Sequence, residues 1–200
     1  MTEHYYSKKT KKASERKVWG ASLRGREFTF FSDHAVFSKD GVDFGSRALI
    51  ETFEFPPIEG DLLDVGCGYG PIGLSLAKET TTRRVVMVDV NERALELAEA
   101  NAEENDVTNV EVIESDGAAA VRERSFAAVL TNPPIRAGKE VVHRIFEDAA
   151  GVLKEGGELW VVIQKKQGAP SAERKMKELF EDVRLIKKVK GYYIFKAKKV

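Results

Sequence analysis

Four polar positions stand at the ends of apolar runs, and their types suit a nucleotide-like ligand. They are Asp64 with Gly66 after Leu62-Leu63, Asp89 after Val85 to Val88, Asp116 after Val110 to Ile113, and Asn132 after Phe126 to Leu130. The first run enters Gly66-Cys67-Gly68-Tyr69-Gly70-Pro71-Ile72-Gly73, whose alternating glycines let the backbone turn sharply and come close to a ligand. Pro71 suits the first turn of a helix. Gly68, Gly70 and Gly73 also satisfy the dinucleotide pattern G-x-G-x-x-G, with Asp89 about 20 residues further on, so spacing alone leaves two cofactor classes open. A strand-end carboxylate such as Asp89 accepts both hydroxyls of a ribose. The adenine amino group is a donor, which suits Asp116 beside Gly117, with Val90 against the ring face.

Asn132-Pro133-Pro134 offers a different chemistry. The lone pair of an exocyclic amine is delocalised into the neighbouring π system, which makes the nitrogen a poor nucleophile. Two acceptors holding its two N–H bonds turn that lone pair toward an electrophile, and the side-chain oxygen of Asn132 with the carbonyl of Pro133 can do so. The prolines fix the geometry. The same dipoles stabilise positive charge as it develops on nitrogen.

These residues need a scaffold that brings strand ends together. From Asp61 the pattern is strand, helix, strand, helix: strand 62–65, helix Pro71 to Glu79, strand 85–88 ending at Asp89, a helix capped by Asn91 through about Asn101, and strand 110–113. Strand 126–130, helix 139–153 and strand 159–163 after Gly156-Gly157 follow, then a helix from Pro170 to Glu181. The runs 183–189 and 192–197, joined by Lys190-Gly191, read as an antiparallel hairpin. Repeated strand–helix units demand right-handed crossovers, so the expected fold is α/β: a doubly wound, seven-stranded Rossmann-like sheet with an antiparallel last hairpin. Ligands of such sheets sit beyond the carboxyl ends of the strands.

Upstream, Val18 to Leu23 and Glu27 to Phe31 flank Arg24-Gly25-Arg26 as a hairpin with a basic tip, and Ser38 to Gly41 makes a turn. Asp43 or Ser46 caps a helix that Pro56-Pro57 ends. The expected division is a basic tail, hairpin and helix over residues 1–57 and a cofactor-binding domain over 58–200. Residues 1–17 are Lys-rich without an apolar period and are expected to be disordered until something binds.

The 200 residues balance 32 bases against 32 acids, but unevenly. Residues 1–26 hold eight Lys or Arg against two acids, and residues 183–200 seven against none. Basic ends around an acidic body suggest a polyanion held by those ends. No stretch approaches the length of a membrane span, and the polar N-terminus lacks the apolar middle of a secretion signal, so a cytoplasmic protein is expected. The lone cysteine, Cys67, excludes an internal disulfide framework and a cysteine zinc cluster; no metal is expected.

The turn from Asp64 through Gly66, Gly68 and Gly70 resembles the first motif of class I S-adenosylmethionine-dependent methyltransferases. Asn-Pro-Pro-Ile-Arg-Ala-Gly-Lys at 132–139, with Phe37-Ser38-Lys39-Asp40-Gly41-Val42-Asp43-Phe44-Gly45-Ser46 upstream, resembles the methyltransferase-small family, which includes small-subunit ribosomal RNA guanine-N2 methyltransferases. The resemblance spans roughly Arg26 to Gln164. It implies that Asp64, Gly66 and Gly68 hold the methionine end of S-adenosylmethionine, with Cys67 and Gly70 also at the cofactor, that Asp89 holds the ribose and Asp116 the adenine, with Val90 and Gly117 beside it, and that Asn132 with Pro133 holds the target amine next to the cofactor, Pro134 and Ile135 completing the catalytic motif. The resemblance also implies that Gly45 and Ser46 close the pocket from the N-terminal side. Many amino-methyltransferases place an aromatic after the two prolines to stack on the target, where this chain has Ile135. The two-domain bacterial members carry a further N-terminal domain, so substrate choice here is expected from Arg24, Arg26, Arg136, Lys139, Lys165 and Lys166.

The expected activity is methyl transfer to an exocyclic amine of RNA, most simply guanine N2 of small-subunit ribosomal RNA, with RNA or a ribosomal subunit as partner. The alternatives are a protein glutamine N-methyltransferase and an RNA-binding protein that keeps the fold without turnover. Cys67 lies in the glycine turn, away from Pro133, which argues against a cysteine nucleophile. His143, Trp19 and Trp160 read as structural.

Overall fold

The computed structural model describes residues 16–33 and 41–200; the tail 1–15 and residues 38–40 of the expected turn lie outside them. Strands β1 (Arg16–Leu23) and β2 (Arg26–Asp33) pair antiparallel as a separate two-stranded sheet, followed by helix α1 (Phe44–Thr52). Then come β3 (Leu62–Val65), α2 (Pro71–Glu79), β4 (Val85–Asp89), α3 (Glu92–Glu104), β5 (Val110–Glu114), β6 (Phe126–Thr131), α4 (Lys139–Val152), β7 (Leu153–Gln164), α5 (Ala169–Leu179), β8 (Asp182–Val189) and β9 (Tyr192–Lys198). The last seven strands form one sheet in the order β5-β4-β3-β6-β7-β9-β8, parallel from β5 to β7, with β9 antiparallel to both its neighbours.

The period-two pattern of the strands sorts the core into two layers. Leu62, Met87, Leu130 and Trp160 face α1, α2 and α3, while Leu63, Val86, Val129 and Val161 face α4 and α5. Each fully buried side chain of this size contributes on the order of 1.5–3 kcal/mol. The first hairpin is fastened to α3 by two asparagines one turn apart, which act as a surrogate strand edge. Asn101 Oδ1 accepts from Phe31 N–H and its Nδ2 donates to Phe31 O (3.0 Å), and Asn105 does the same for Thr29.

The chain leaves β3 toward β4 on one side and returns as β6 on the other, so the crevice opens between the carboxyl ends of β3 and β6. The register pairs Val65 with Thr131, and Thr131 Oγ1 donates to Val65 O at 2.9 Å. Gly66 and Asn132 therefore leave the sheet at one level.

Several boundaries differ from the sequence expectation. Helix α1 stops at Thr52, well before Pro56-Pro57, because Arg24 Nη1 donates to Ile50 O (2.7 Å) and Phe53 O (2.9 Å) and so satisfies carbonyls at the helix end. Strand β7 begins at Leu153, with Gly156-Gly157 inside it. Lys199 pairs with both glycines, the register with β6 shifts there, and a Cβ on Gly157 would sit 2.8 Å from Lys154 O. Helix α5 ends at Leu179 rather than Glu181, because buried Phe180 turns into the core with its N–H bonded to Met176 O. Helix α3 runs on past Asn101 to Glu104.

Candidate active site

The glycine turn is shaped by two buried carboxylates. Asp64 Oδ2 accepts from Gly73 N–H at 2.9 Å, while Asp64 Oδ1 is buried without a hydrogen-bond partner. Burial pushes the Asp64 carboxyl up to about 7; the Gly73 N–H opposes the shift and the nearby Asp89 adds to it. Asp89 Oδ2 accepts from Gly68 N–H and its Oδ1 from Asn91 N–H, both at 2.9 Å. A carboxylate at this strand end is an acceptor of the kind that a ribose hydroxyl needs. Gly66 has φ +73°, and a Cβ there would project into open space. The open cradle at Gly66 fits close approach of S-adenosylmethionine to the backbone, whereas Asp64 lines neither of the cavities that flank the turn.

Gly70 does different work. It starts α2 at φ +102°, and a Cβ would crowd Leu74 Cδ1 at 2.9 Å, so it serves the turn and its packing. Cys67 is buried, and its thiol is pushed well up by burial and then by Asp89 and Asp64, which leaves no thiolate nucleophile. A narrow cleft of about 10 Å³ runs past Gly66, Asp89, Val90, Ser115, Gly117, Pro134 and Ile145. As it stands it is too narrow for a purine ring. The Asp116 carboxylate, expected to meet an adenine, lines neither this cleft nor the main cavity; it is half-exposed and paired with Arg144 on α4. Gly117, by contrast, borders the cleft, and at φ +56° a Cβ there would collide with Asp148.

On the other side of Gly66 opens a cavity of about 220 Å³. Its walls bring together Gly66, Cys67, Gly68, Asn132, Pro133, Pro134, Ile135 and Arg136 with Asp43 and Ser46 from α1. Asn132 Nδ2 donates to Asp43 Oδ2 (3.1 Å) and to Ser46 Oγ (3.0 Å). A carboxylate only accepts, so Asp43 dictates which end of the carboxamide faces it and leaves Asn132 Oδ1 as an acceptor. The same Asp43 oxygen caps α1 by accepting from Ser46 N–H at 2.9 Å, so one carboxylate joins the helix start to the carboxamide. The Asp43–Asn132 bond spans 89 residues, and sequence reading gave Asp43 only the cap.

The six cations expected to meet substrate fall into three groups. Arg136 lines the cavity. Lys139 at the start of α4, and Lys165 and Lys166 in the one-turn helix Lys165–Gln167, are exposed and outside its lining. Arg24 and Arg26 are a correction. The Arg24 guanidinium pairs with Glu79 at the far end of α2, stacks over Phe55 and caps α1, while Arg26 Nη1 reaches back to Arg24 O. Helix α2 leaves the carboxyl ends of the strands and finishes at their amino ends, so this hairpin tip lies at the opposite end of the sheet from Asn132. The wall residues that escaped sequence reading include Gln164, Gln167 and Tyr192. Gln164 ends β7, Gln167 lies just after it and Tyr192 opens β9, and pairing of Gln164 with Tyr192 across those strands is a tertiary fact that no local spacing encodes. Among the described residues no cluster of His, Cys, Asp and Glu is placed to hold a metal ion, and no helix is long and apolar enough to cross a membrane.

Comparison with known proteins matches residues 27–196 to the methyltransferase small domain. A Bacillus subtilis protein, the uncharacterized protein YbxB, is 60% identical over 201 residues, covering 100% of both chains. The ribosomal RNA small subunit methyltransferase C of Actinobacillus pleuropneumoniae is 34% identical over 152 residues, covering 74% of this chain and 45% of its own. Among solved structures, T. thermophilus 16S rRNA N2 G1207 methyltransferase (RsmC), in complex with AdoMet and guanosine, superposes with a TM-score of 0.82 at 27% identity over 92% of this chain and 51% of that one. The chain spans about half the length of these two methyltransferases.

Proposed function

The chain belongs to the methyltransferase small domain family, and from that premise we propose that it transfers the methyl group of S-adenosylmethionine to an exocyclic amine of RNA, with guanine N2 of small-subunit ribosomal RNA as the target. The observation that carries this reading is the carboxamide of Asn132, clamped by Asp43 and Ser46 so that its oxygen remains as an acceptor on the wall of the 220 Å³ cavity. The names of the Actinobacillus relative and of the RsmC structure support a ribosomal RNA substrate.

In this reading Asp64, Gly66 and Gly68 hold the amino-acid end of the cofactor and Asp89 its ribose. When bound, the cofactor supplies an electrophilic methyl group on a sulfonium. Asn132 Oδ1 and the Pro133 carbonyl accept the two N–H bonds of the target amine and aim its lone pair. As the nitrogen–carbon bond forms and the carbon–sulfur bond breaks, both oxygens stabilise the positive charge gathering on nitrogen. The surplus proton leaves that nitrogen after transfer, so no strong base is required. The target base must be unpaired or extruded to reach Asn132. Ile135 gives the target an apolar surface.

The test is labelled methyl transfer into ribosomal subunits and, in parallel, into a protein pool, followed by nucleoside analysis. Label in N2-methylguanosine is expected. Label in glutamine amide supports the protein-methylating alternative, and tight RNA binding without label supports a binding protein that has kept the fold.

A further inference from the structure

We propose that the tip of the last hairpin, from Lys188 to Tyr192, is the docking arm for unpaired RNA, with Tyr192 as the flat surface on which the target base stacks. This rests on the function proposed above. Tyr192 opens β9 and lines the cavity that holds Asn132. The ring is held on several sides: its hydroxyl accepts from Gln164 Nε2 at 2.8 Å, its centroid lies 5.5 Å from that of Phe44 with the planes tilted by 44°, and a Cβ on Gly45 would sit 2.7 Å from Tyr192 Cε1. Gly45 is thus the residue that lets α1 close on this ring. Ile135 follows the two prolines and offers bulk without a π face, so Tyr192 supplies what that position lacks.

The charge around the ring favours a polyanion. Lys190 is exposed, with Nζ 5.0 Å above the Phe44 ring, and Lys188 is exposed, with Nζ 5.1 Å above Tyr193. Aromatic rings steady both ammonium groups without neutralising them. Lys165 N–H donates to Gly191 O at 2.9 Å, which ties the Lys165–Lys166 turn to the tip. Lys190 therefore stands on the Tyr192 side of the sheet and Lys188 on the Tyr193 side, and with the Lys165–Lys166 turn they gather four lysines at the hairpin end of the sheet, next to the cavity that Tyr192 lines. Residues 183–200 contain no acid to oppose them.

The experiment measures binding of a short unpaired guanosine-containing oligoribonucleotide over a range of salt concentrations, together with steady-state methyl transfer to RNA. Lys188→Gln with Lys190→Gln is expected to flatten the slope of log affinity against log salt by about 1.4, the loss of two single-strand phosphate contacts. Lys177→Gln, in an exposed pair with Glu173 on α5, leaves the slope unchanged. Tyr192→Leu is expected to raise KM for RNA about tenfold while S-adenosylmethionine affinity stays at the wild-type value, and Tyr192→Phe, which keeps the ring, restores most of that loss. An unmoved slope in the double variant or a wild-type KM in Tyr192→Leu overturns the assignment and leaves RNA methylation standing. A wild-type chain that labels protein and no RNA overturns both.

Discussion

The two hairpins at either end of the chain carry similar basic tips, Arg24-Gly25-Arg26 and Lys188 to Lys190, and the fold uses them in opposite ways. The first lies at the amino ends of the strands, where Glu79 and the last carbonyls of α1 surround Arg24 and absorb its donors. The second lies at the carboxyl ends, where Lys188 and Lys190 meet aromatic faces and solvent. Counting bases cannot separate the two. What separates them is whether acids and free carbonyls lie within reach, because a guanidinium with five donors is readily recruited to internal acceptors.

The largest expected effect tests that contrast on the structural side. Arg24→Gln should lower the unfolding free energy by about 3 kcal/mol, read from denaturant titration, because it strands Glu79 and two carbonyls. Methyl transfer per folded molecule should not change. The Lys188→Gln, Lys190→Gln double variant should move stability by less than about 0.5 kcal/mol. Equal stability costs in the two hairpins would erase the distinction.

A smaller effect sharpens the carboxyl-end half of the comparison. Asp43→Asn keeps a good helix cap but presents an amide that either donates or accepts, so the Asn132 carboxamide is no longer forced into one orientation. The expected result is a fall in kcat of about thirtyfold, roughly 2 kcal/mol of barrier, with cofactor affinity and melting temperature near wild type. An unchanged kcat would make Asp43 a cap and nothing more.

The smallest effect contrasts the carboxylates at the two ends. Hydrogen bonding to Arg24 holds Glu79 below its usual range, whereas burial lifts Asp64 to about 7. Between its unfolded value near 3.8 and about 7, Asp64 binds more proton in the folded chain. Its contribution therefore favours folding at low pH and is lost as pH rises through that window. The stability difference between wild type and Asp64→Asn should fall by about 1 kcal/mol between about pH 6 and about pH 7 and level off above. A flat difference would mean that the Asp64 carboxyl titrates as an ordinary acid.

The alternation of strand and helix, and the polar residue at each strand end, were legible because both are local patterns enforced by burial. The order of elements, the antiparallel last pair and the convergence of Gly66 with Asn132 follow from them. Illegible features depend on partners distant in sequence. Asp43 meets Asn132 across 89 residues, Arg24 meets Glu79 across 55, and Tyr192 reaches the cavity only because β9 inserts between β7 and β8. Asp116 shows another side of this: a strand-end acid of the right type that pairs with Arg144 and lines neither cavity.

The central claim is that the Asn132 oxygen grips the amine that receives the methyl group. Single-turnover methyl transfer to small-subunit RNA by Asn132→Ala, with S-adenosylmethionine affinity measured on the same sample, tests it most directly. The account predicts a rate lower by about 10²–10³ with cofactor affinity within about twofold of wild type. A rate within about threefold of wild type would contradict it.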